Sequence, residues 1–243
     1  FEAVVREPNS NKVGEYLVCD VSGPGAIVRV WTAAISGTVR AYLDGSATPV
    51  FDGPAEEFFL KPDLPFLKEA GLDEALFDGT YQQRQACYFP IPFAKRCRIT
   101  WIGNLQSIHF YEVQLRLYDA GTELTTFTAK DLRTFRKQIE DVAAVLKDPD
   151  ATWPVTDGGQ LSPIAATIPP HESRTVLDLK GAQAIEVLTL QLQAADLDRA
   201  LRQTLLHLVF DSYPWGQVQC PVGDFFGAAP GINPYQSLPF TVR

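Results

Sequence analysis

A repeat inside the chain constrains its fold more than any single motif does. VCDVSGPGAI, Val18 to Ile27, returns as VLDLKGAQAI, Val176 to Ile185, with Val, Asp, Gly, Ala and Ile at matched places and Leu179 answering Val21. A second pair follows in the same order. LDGSATPVFDGPAEEFF, Leu43 to Phe59, aligns without a gap on FDSYPWGQVQCPVGDFF, Phe210 to Phe226. Asp44 meets Asp211, Pro54 meets Pro221, Glu57 meets Asp224, and Phe58–Phe59 meet Phe225–Phe226. Two ordered matches point to a duplicated unit.

Each copy reads as an alternating strand, a Gly turn, and a further strand ending at Asp44 or Asp211. A Pro-punctuated loop then leads to an acidic residue and two phenylalanines. The Phe pairs read as core plugs, each ring contributing roughly 1.5–3 kcal/mol on burial. Asp44 and Asp211 read as turn-makers that accept backbone N–H bonds two residues on. Copy one continues through CYFPIPFAKRCRITWIGN, Cys87 to Asn104, whose WIGN reads as turn chemistry, into IHFYEVQLRLYD, Ile108 to Asp119. There Val113, Leu115 and Leu117 alternate with Glu112, Gln114, Arg116 and Tyr118, the mark of a half-buried antiparallel strand. On the spacing of copy one, the second copy's closing strands are due roughly 30 residues after Phe226, past Arg243. The expectation is therefore a second sandwich left unfinished within this chain, with an unpaired sheet edge and no stable monomer.

Composition agrees with many short strands: 17 Gly and 18 Pro are spread along 243 residues, and 46% of residues are apolar. Between the copies, Leu132, Phe135, Ile139, Val142 and Leu146 recur at helical spacing before Pro149 stops the pattern, predicting one amphipathic helix. A connector, Ala151 to Pro170, follows it, and Ala194 to Gln203 predicts a second short helix. The fold class is all-β: a tandem, double jelly-roll β-sandwich with one linker helix. The expected bounds are 1–128 for the first jelly roll, 129–170 for helix and connector, and 171–243 for the first part of the second.

The net charge of −8, without a basic run, argues against nucleic acid and anionic membranes as partners, and no run approaches the roughly 18 apolar residues of a membrane span. A neutral sugar fits. The first residues name no compartment; a secreted or periplasmic setting is compatible. Cys19, Cys87, Cys97 and Cys220 lack CxxC spacing, which argues against zinc. In a secreted protein Cys87 and Cys97 could pair; otherwise all four read as small buried thiols. His109, His171 and His207 show no ligand spacing, no Ser lies in a GxSxG elbow, and the GPG at Gly23–Gly25 precedes a strand, so it reads as a turn. No metal and no cofactor are expected.

Several segments resemble signature stretches of glycoside hydrolase family 172, long catalogued as domain of unknown function 2961. They are GPGAIVRVWTA (Gly23 to Ala33), YLDG (Tyr42 to Gly45), YFPIPFAKRCRIT (Tyr88 to Thr100), FYEVQLRLYD (Phe110 to Asp119) and PVGDFFG (Pro221 to Gly227). The resemblance implies a double jelly-roll subunit that assembles into trimers or multiples of trimers and acts on fructofuranosides or arabinofuranosides. It also implies a retaining mechanism with two glutamates, whose carboxyl groups would stand about 5–5.5 Å apart. In that pattern the glutamates follow PVGDFFG. Here the 16 residues Ala228 to Arg243 contain no Asp or Glu. The pair thus lies in another segment, in a companion chain, or has been lost.

Within the chain, Gln219 stands where some relatives carry glutamate; it could bond a hydroxyl but not act as acid or base. Asp224 could face a sugar cleft or cap the turn after it. Of Trp31, Trp101, Trp153 and Trp215, Trp215 in the SYPWGQ loop is the favoured stacking platform, because loops at a sandwich end carry function; the others read as core or interface packing. The sequence therefore supports a furanoside-acting glycoside hydrolase, with a non-catalytic jelly-roll module for carbohydrate binding or assembly as the alternative.

Overall fold

The computed structural model describes residues 1–149, 159–228, 230–238 and 240–243, and apart from the side chain of His109 these carry everything below. They form two compact units, Phe1–Lys147 and Asp148–Arg243.

Unit one is a β-sandwich, so the all-β expectation holds. One sheet runs β1 (Ala3–Arg6), β2 (Gly14–Ser22), β8 (Arg96–Gly103), β4 (Thr38–Leu43) and β5 (Phe51–Pro54). The other has β3 (Gly25–Ile35) at its centre, paired with β6 (Ala86–Cys87), β7 (Ile91–Phe93) and β9 (Ile108–Leu117). All the pairings are antiparallel. Period-two alternation sets which residues face the core. In β4, Val39, Ala41 and Leu43 are buried while Thr38, Arg40 and Tyr42 are half-exposed. Between the sheets lie Val30, Val39, Phe93, Ile99 and Trp101.

Trp101 corrects the turn reading of WIGN. It is fully buried in β8, and its indole N–H donates to the Ser36 carbonyl at 2.7 Å. Removing a ring of that size from water contributes about 4–6 kcal/mol. Only Asn104 does turn work, accepting from the Gln106 N–H at 3.0 Å at the head of a 3-10 turn. Gly37 is required where β3 turns into β4: its φ is 92°, and a Cβ there would stand 2.3 Å from the Ile102 carbonyl oxygen.

After β5 the chain enters α1 (Ala55–Leu60), which carries Phe58 and Phe59 into the core, and then α2 (Leu64–Ala70). The single helix expected over 130–149 is two: α3 (Ala129–Thr134) and α4 (Arg136–Lys147). A Thr128–Asp131 capping box starts α3, and the Arg133 side chain donates to the Ala70 carbonyl, tying α3 to the end of α2. Phe135 leaves the helical path there with an exposed ring. The covered side is Leu132, Ile139, Ala143 and Leu146, rather than the full predicted stripe.

Unit two contains α5 (Leu197–Gln203), β10 (Leu205–Leu208), β11 (Val218–Pro221), α6 (Val222–Phe225) and a small ladder of β12 (Tyr235–Gln236) with β13 (Thr241–Val242). Its buried apolar residues include Val222 and Ala228. The copy-two counterpart of β2 and β3, around Val176–Ile185, forms no ladder among the described residues. In copy one those strands rest on β8 and β9. No described segment of unit two offers their equivalent.

Candidate functional site

The repeat holds to the level of strand register. β4 meets β5 as Thr38↔Pro54, Val39↔Gly53, Arg40↔Asp52 and Ala41↔Phe51. β10 meets β11 as Leu205↔Pro221, Leu206↔Cys220, His207↔Gln219 and Leu208↔Val218, the same pairs in the gapless alignment. Asp44 and Asp211 both turn the chain with φ 55°. Pro54 (φ −54°, ψ 133°) and Pro221 (φ −53°, ψ 140°) both stand at a helix N-cap, where a fixed φ and absent N–H are tolerated. The Phe pairs are edge-to-face in both copies, at 5.3 Å and 89° for Phe58–Phe59 and 5.0 Å and 86° for Phe225–Phe226.

The chemistry on that shared frame differs. Copy one carries an ion pair, Arg40 to Asp52 at 3.2 Å, where copy two has His207 opposite Gln219. Gln219 is exposed and offers both an acceptor and two N–H donors without a charge. Asp224, exposed in α6, is held by the Arg202 guanidinium from α5. Trp215 is 67% exposed and meets Tyr213 edge-to-face at 6.1 Å. Its loop is closed at the base by Gln217, whose amide donates to the Phe210 carbonyl and accepts from the Phe210 N–H, both at 3.0 Å. A rigidly based loop thus presents an indole shortly before β11, the strand that carries Gln219. Among the described residues no hydrogen bond or ring contact joins Trp215, Gln219 and Asp224 directly. Arg202, 22 residues before Asp224, carries no local sequence signal for its role.

Of the other tryptophans, Trp101 is core, Trp31 is half-buried on the open face of the β3 sheet, and Trp153 lies outside the described residues. His207 stands on β10 and His171 in a turn at φ 66°.

Asp44 departs from the expected turn chemistry. Its Oδ1 accepts from the N–H groups of Lys95 and Arg96 (2.7 and 3.2 Å), across the chain rather than two residues on, and its Oδ2 accepts from the Thr126 hydroxyl. Burial pushes its carboxyl up, but these bonds outweigh it and hold the group below the usual range. Unit one also encloses a polar cluster that the sequence did not announce. Asp63, fully buried, accepts from the Gln82 amide at 3.0 Å and lies 3.5 Å from the Cys87 sulfur. Burial pushes the Asp63 carboxyl up, as it does the Cys87 thiol. Gln82 Oε1 has no hydrogen-bond partner among the described residues.

All four cysteines are free. Cys87 does not join Cys97: it is turned to Asp63, whereas Cys97 lies on β8 alongside β2, the strand that carries Cys19. The neighbouring Cys97 thiol holds Cys19 below the ordinary thiol range, while Cys19 and burial push Cys97 above it. Among the described residues no three His, Cys, Asp or Glu side chains form a metal-binding group, and no helix is long and apolar enough to cross a membrane.

Comparison with known proteins fits this architecture. A family model described as GH172 first beta-sandwich domain matches residues 2–135, and one described as GH172 domain-like matches residues 159–242. No curated protein matches the chain.

Proposed function

The chain belongs to glycoside hydrolase family 172, and from that premise we propose that it is a glycoside hydrolase-like protein acting on fructofuranosides or arabinofuranosides. The observation that carries the reading is the second hairpin. It keeps the register of the first but replaces the Arg40–Asp52 ion pair with His207 and Gln219, beside an exposed indole on a pinned loop. Such a surface suits a hydroxyl-rich, uncharged ligand: Trp215 offers a face for the ring, Gln219 a bond to a hydroxyl, and Asp224, set by Arg202, an acceptor.

Retaining chemistry would use one glutamate to attack the anomeric carbon and another to protonate the leaving oxygen and then activate water. We place that pair outside these 243 residues, because the resemblance puts it after PVGDFFG and no Asp or Glu follows Gly227. The trimeric assembly implied by the resemblance belongs to the same proposal, as do the bounds 1–128, 129–170 and 171–243. It is supported by the apolar side chains that unit two exposes, among them Val187, Val209 and Leu205. A second reading, a non-catalytic carbohydrate-binding or assembly module, draws on the same exposed Trp215 and on the exposed apolar side chains of unit two.

The test is turnover by the full-length gene product on fructofuranosyl and arabinofuranosyl substrates, with the product anomer read by NMR. Turnover with retention is expected, and Trp215→Ala should raise KM about tenfold or more with a smaller change in kcat. No turnover on any furanoside would sink the hydrolase, and binding without turnover would establish the module in its place.

A further inference from the structure

The outer face of the β3 sheet carries a set of side chains that the proposed site does not use. Arg29 lies between two aromatic rings, its guanidinium carbon 6.0 Å from the Trp31 ring centre and 5.6 Å from that of Tyr88. It donates to Glu112 Oε2 at 2.5 Å and approaches the Tyr88 hydroxyl at 3.4 Å. The other oxygen of Glu112 accepts from the Gln114 amide at 2.7 Å. The strand ladder enforces this meeting: β9 lies beside β3 with Trp31 opposite Glu112 and Arg29 opposite Gln114, and Tyr88 follows directly on β6. Two positions along β3, Ala33 opens into a cleft of about 380 Å³ whose rim includes Glu56 and Arg84.

Stability does not account for the arrangement. The half-exposed ion pair adds little to stability, and what it and the two ring contacts contribute is offset by the rotamer freedom that these long side chains lose. The set is nevertheless fixed from several sides, as a preformed binding surface is. Its chemistry narrows the ligand. Arg29 is already neutralised by Glu112, so an anion gains no free cation, and a cation gains no free carboxylate. What remains on offer is the 46% exposed Tyr88 ring, the part-exposed indole of Trp31, and hydrogen-bonding capacity left on the Glu112 and Gln114 oxygens. A neutral molecule with one apolar face and a rim of hydroxyls matches all three.

We infer that this face of the first sandwich is a carbohydrate subsite, separate from the second hairpin, that holds a sugar unit of a polymer on Tyr88 and Trp31 while Glu112 and Gln114 bond its hydroxyls. The inference rests on the carbohydrate reading above, and it adds a chain-length preference: polymers should be held in unit one in addition to whatever small furanoside is held in unit two.

Migration of the intact chain through native gels containing branched arabinan or inulin tests it. Retardation is expected, and Tyr88→Ala, an exposed position, should weaken it about tenfold. Glu112→Gln, which keeps the shape but leaves Arg29 uncompensated, should weaken it as well. Thermal melts of both variants should match that of the unsubstituted chain. Turnover of nitrophenyl arabinofuranoside by the full-length protein should be unaffected by Tyr88→Ala. Unchanged retardation in both variants, or no retardation of the unsubstituted chain beside intact turnover, overturns this subsite and leaves the family function standing. Neither retardation nor turnover sinks both readings. If Tyr88→Ala changes the sedimenting mass without changing retardation, the face is a protein contact and the subsite is wrong.

Discussion

The two units carry the same hairpin, the same left-handed aspartate, the same proline-capped helix and the same edge-to-face Phe pair, yet they use them differently. Phe58 and Phe59 are shut into the core of unit one, under β3 and beside Phe51 and Tyr111. Phe225 and Phe226 keep the same mutual geometry but remain half-exposed, with Phe240 as a ring neighbour. Local conformation therefore follows local sequence: φ at Asp44 and Asp211, the prolines at the N-caps and the hairpin register need only residues within the hairpin. Burial follows distant strands. In unit one β8 and β9 supply them, and around Val176–Ile185 no described strand does.

The largest expected effect tests that distinction directly. Phe59→Ala should destabilise unit one by about 3–5 kcal/mol, the cost of a ring deleted from a closed core. Phe226→Ala should cost under about 1 kcal/mol in the same urea titration, because water already reaches that ring. Equal losses would mean that the second pair is as firmly enclosed as the first, and the contrast between the units would fail.

Next in size is a difference in pH response. Burial raises the Asp63 carboxyl above its ordinary range, with Glu74 adding to the rise; Gln82 and Cys87 are its side-chain partners. The fold therefore favours the neutral acid. That contribution is complete at pH below the unfolded-state value of about 3.9 and is lost as pH rises through the raised folded-state value. Asp20 and Asp44, held low, act in the opposite sense and lose their contribution on acidification. Asp63→Asn removes the first response and keeps the others. It should melt higher than the unsubstituted chain at pH 7 and converge with it near pH 3. Identical pH profiles would show that Asp63 does not titrate as a buried group. The buried polar residues found here, Thr32, Asp63, Thr80, Gln82 and Thr100, all belong to unit one, so exchange of unit-two amides should not follow Asp63.

Short-range chemistry in this chain was legible before the fold was known. The repeat located both hairpins, the Gly turn between β2 and β3 was readable as a turn, and Asp196 caps α5 within the stretch that the spacing marked as helical. What escaped depended on residues far apart in sequence. WIGN looked like a turn because its glycine and asparagine are turn residues, while the partners that make Trp101 core lie on β2, β4 and the Ser36 carbonyl. The stripe from Leu132 to Leu146 looked continuous because periodicity cannot register the Arg133 anchor to Ala70. Of the predicted site, Trp215 was legible as a loop tryptophan. Asp224's partner Arg202 was not, nor was the Arg29–Glu112 pair, 83 residues apart.

The smallest effect isolates what one distant partner is worth. Asp44 and Asp211 share φ 55°, a conformation that costs an L-residue roughly 1–2 kcal/mol and glycine almost nothing. Glycine also gives back up to about 1 kcal/mol through the freer unfolded chain. At Asp211 these terms nearly cancel, so Asp211→Gly should leave stability within about 0.5 kcal/mol. Asp44→Gly gains the same relief but strips an acceptor from the amides of Lys95 and Arg96 and from the Thr126 hydroxyl. Each bond to a charged acceptor contributes about 1.5–3 kcal/mol when enclosed and less where water can substitute, so a net loss of about 1–2 kcal/mol is expected. Asp44→Asn, which keeps one acceptor oxygen and tolerates positive φ, should recover part of it. If Asp44→Gly were as silent as Asp211→Gly in a denaturant melt, the turn conformation alone would explain both aspartates, and the cross-chain bonds of Asp44 would be incidental to what separates the two copies.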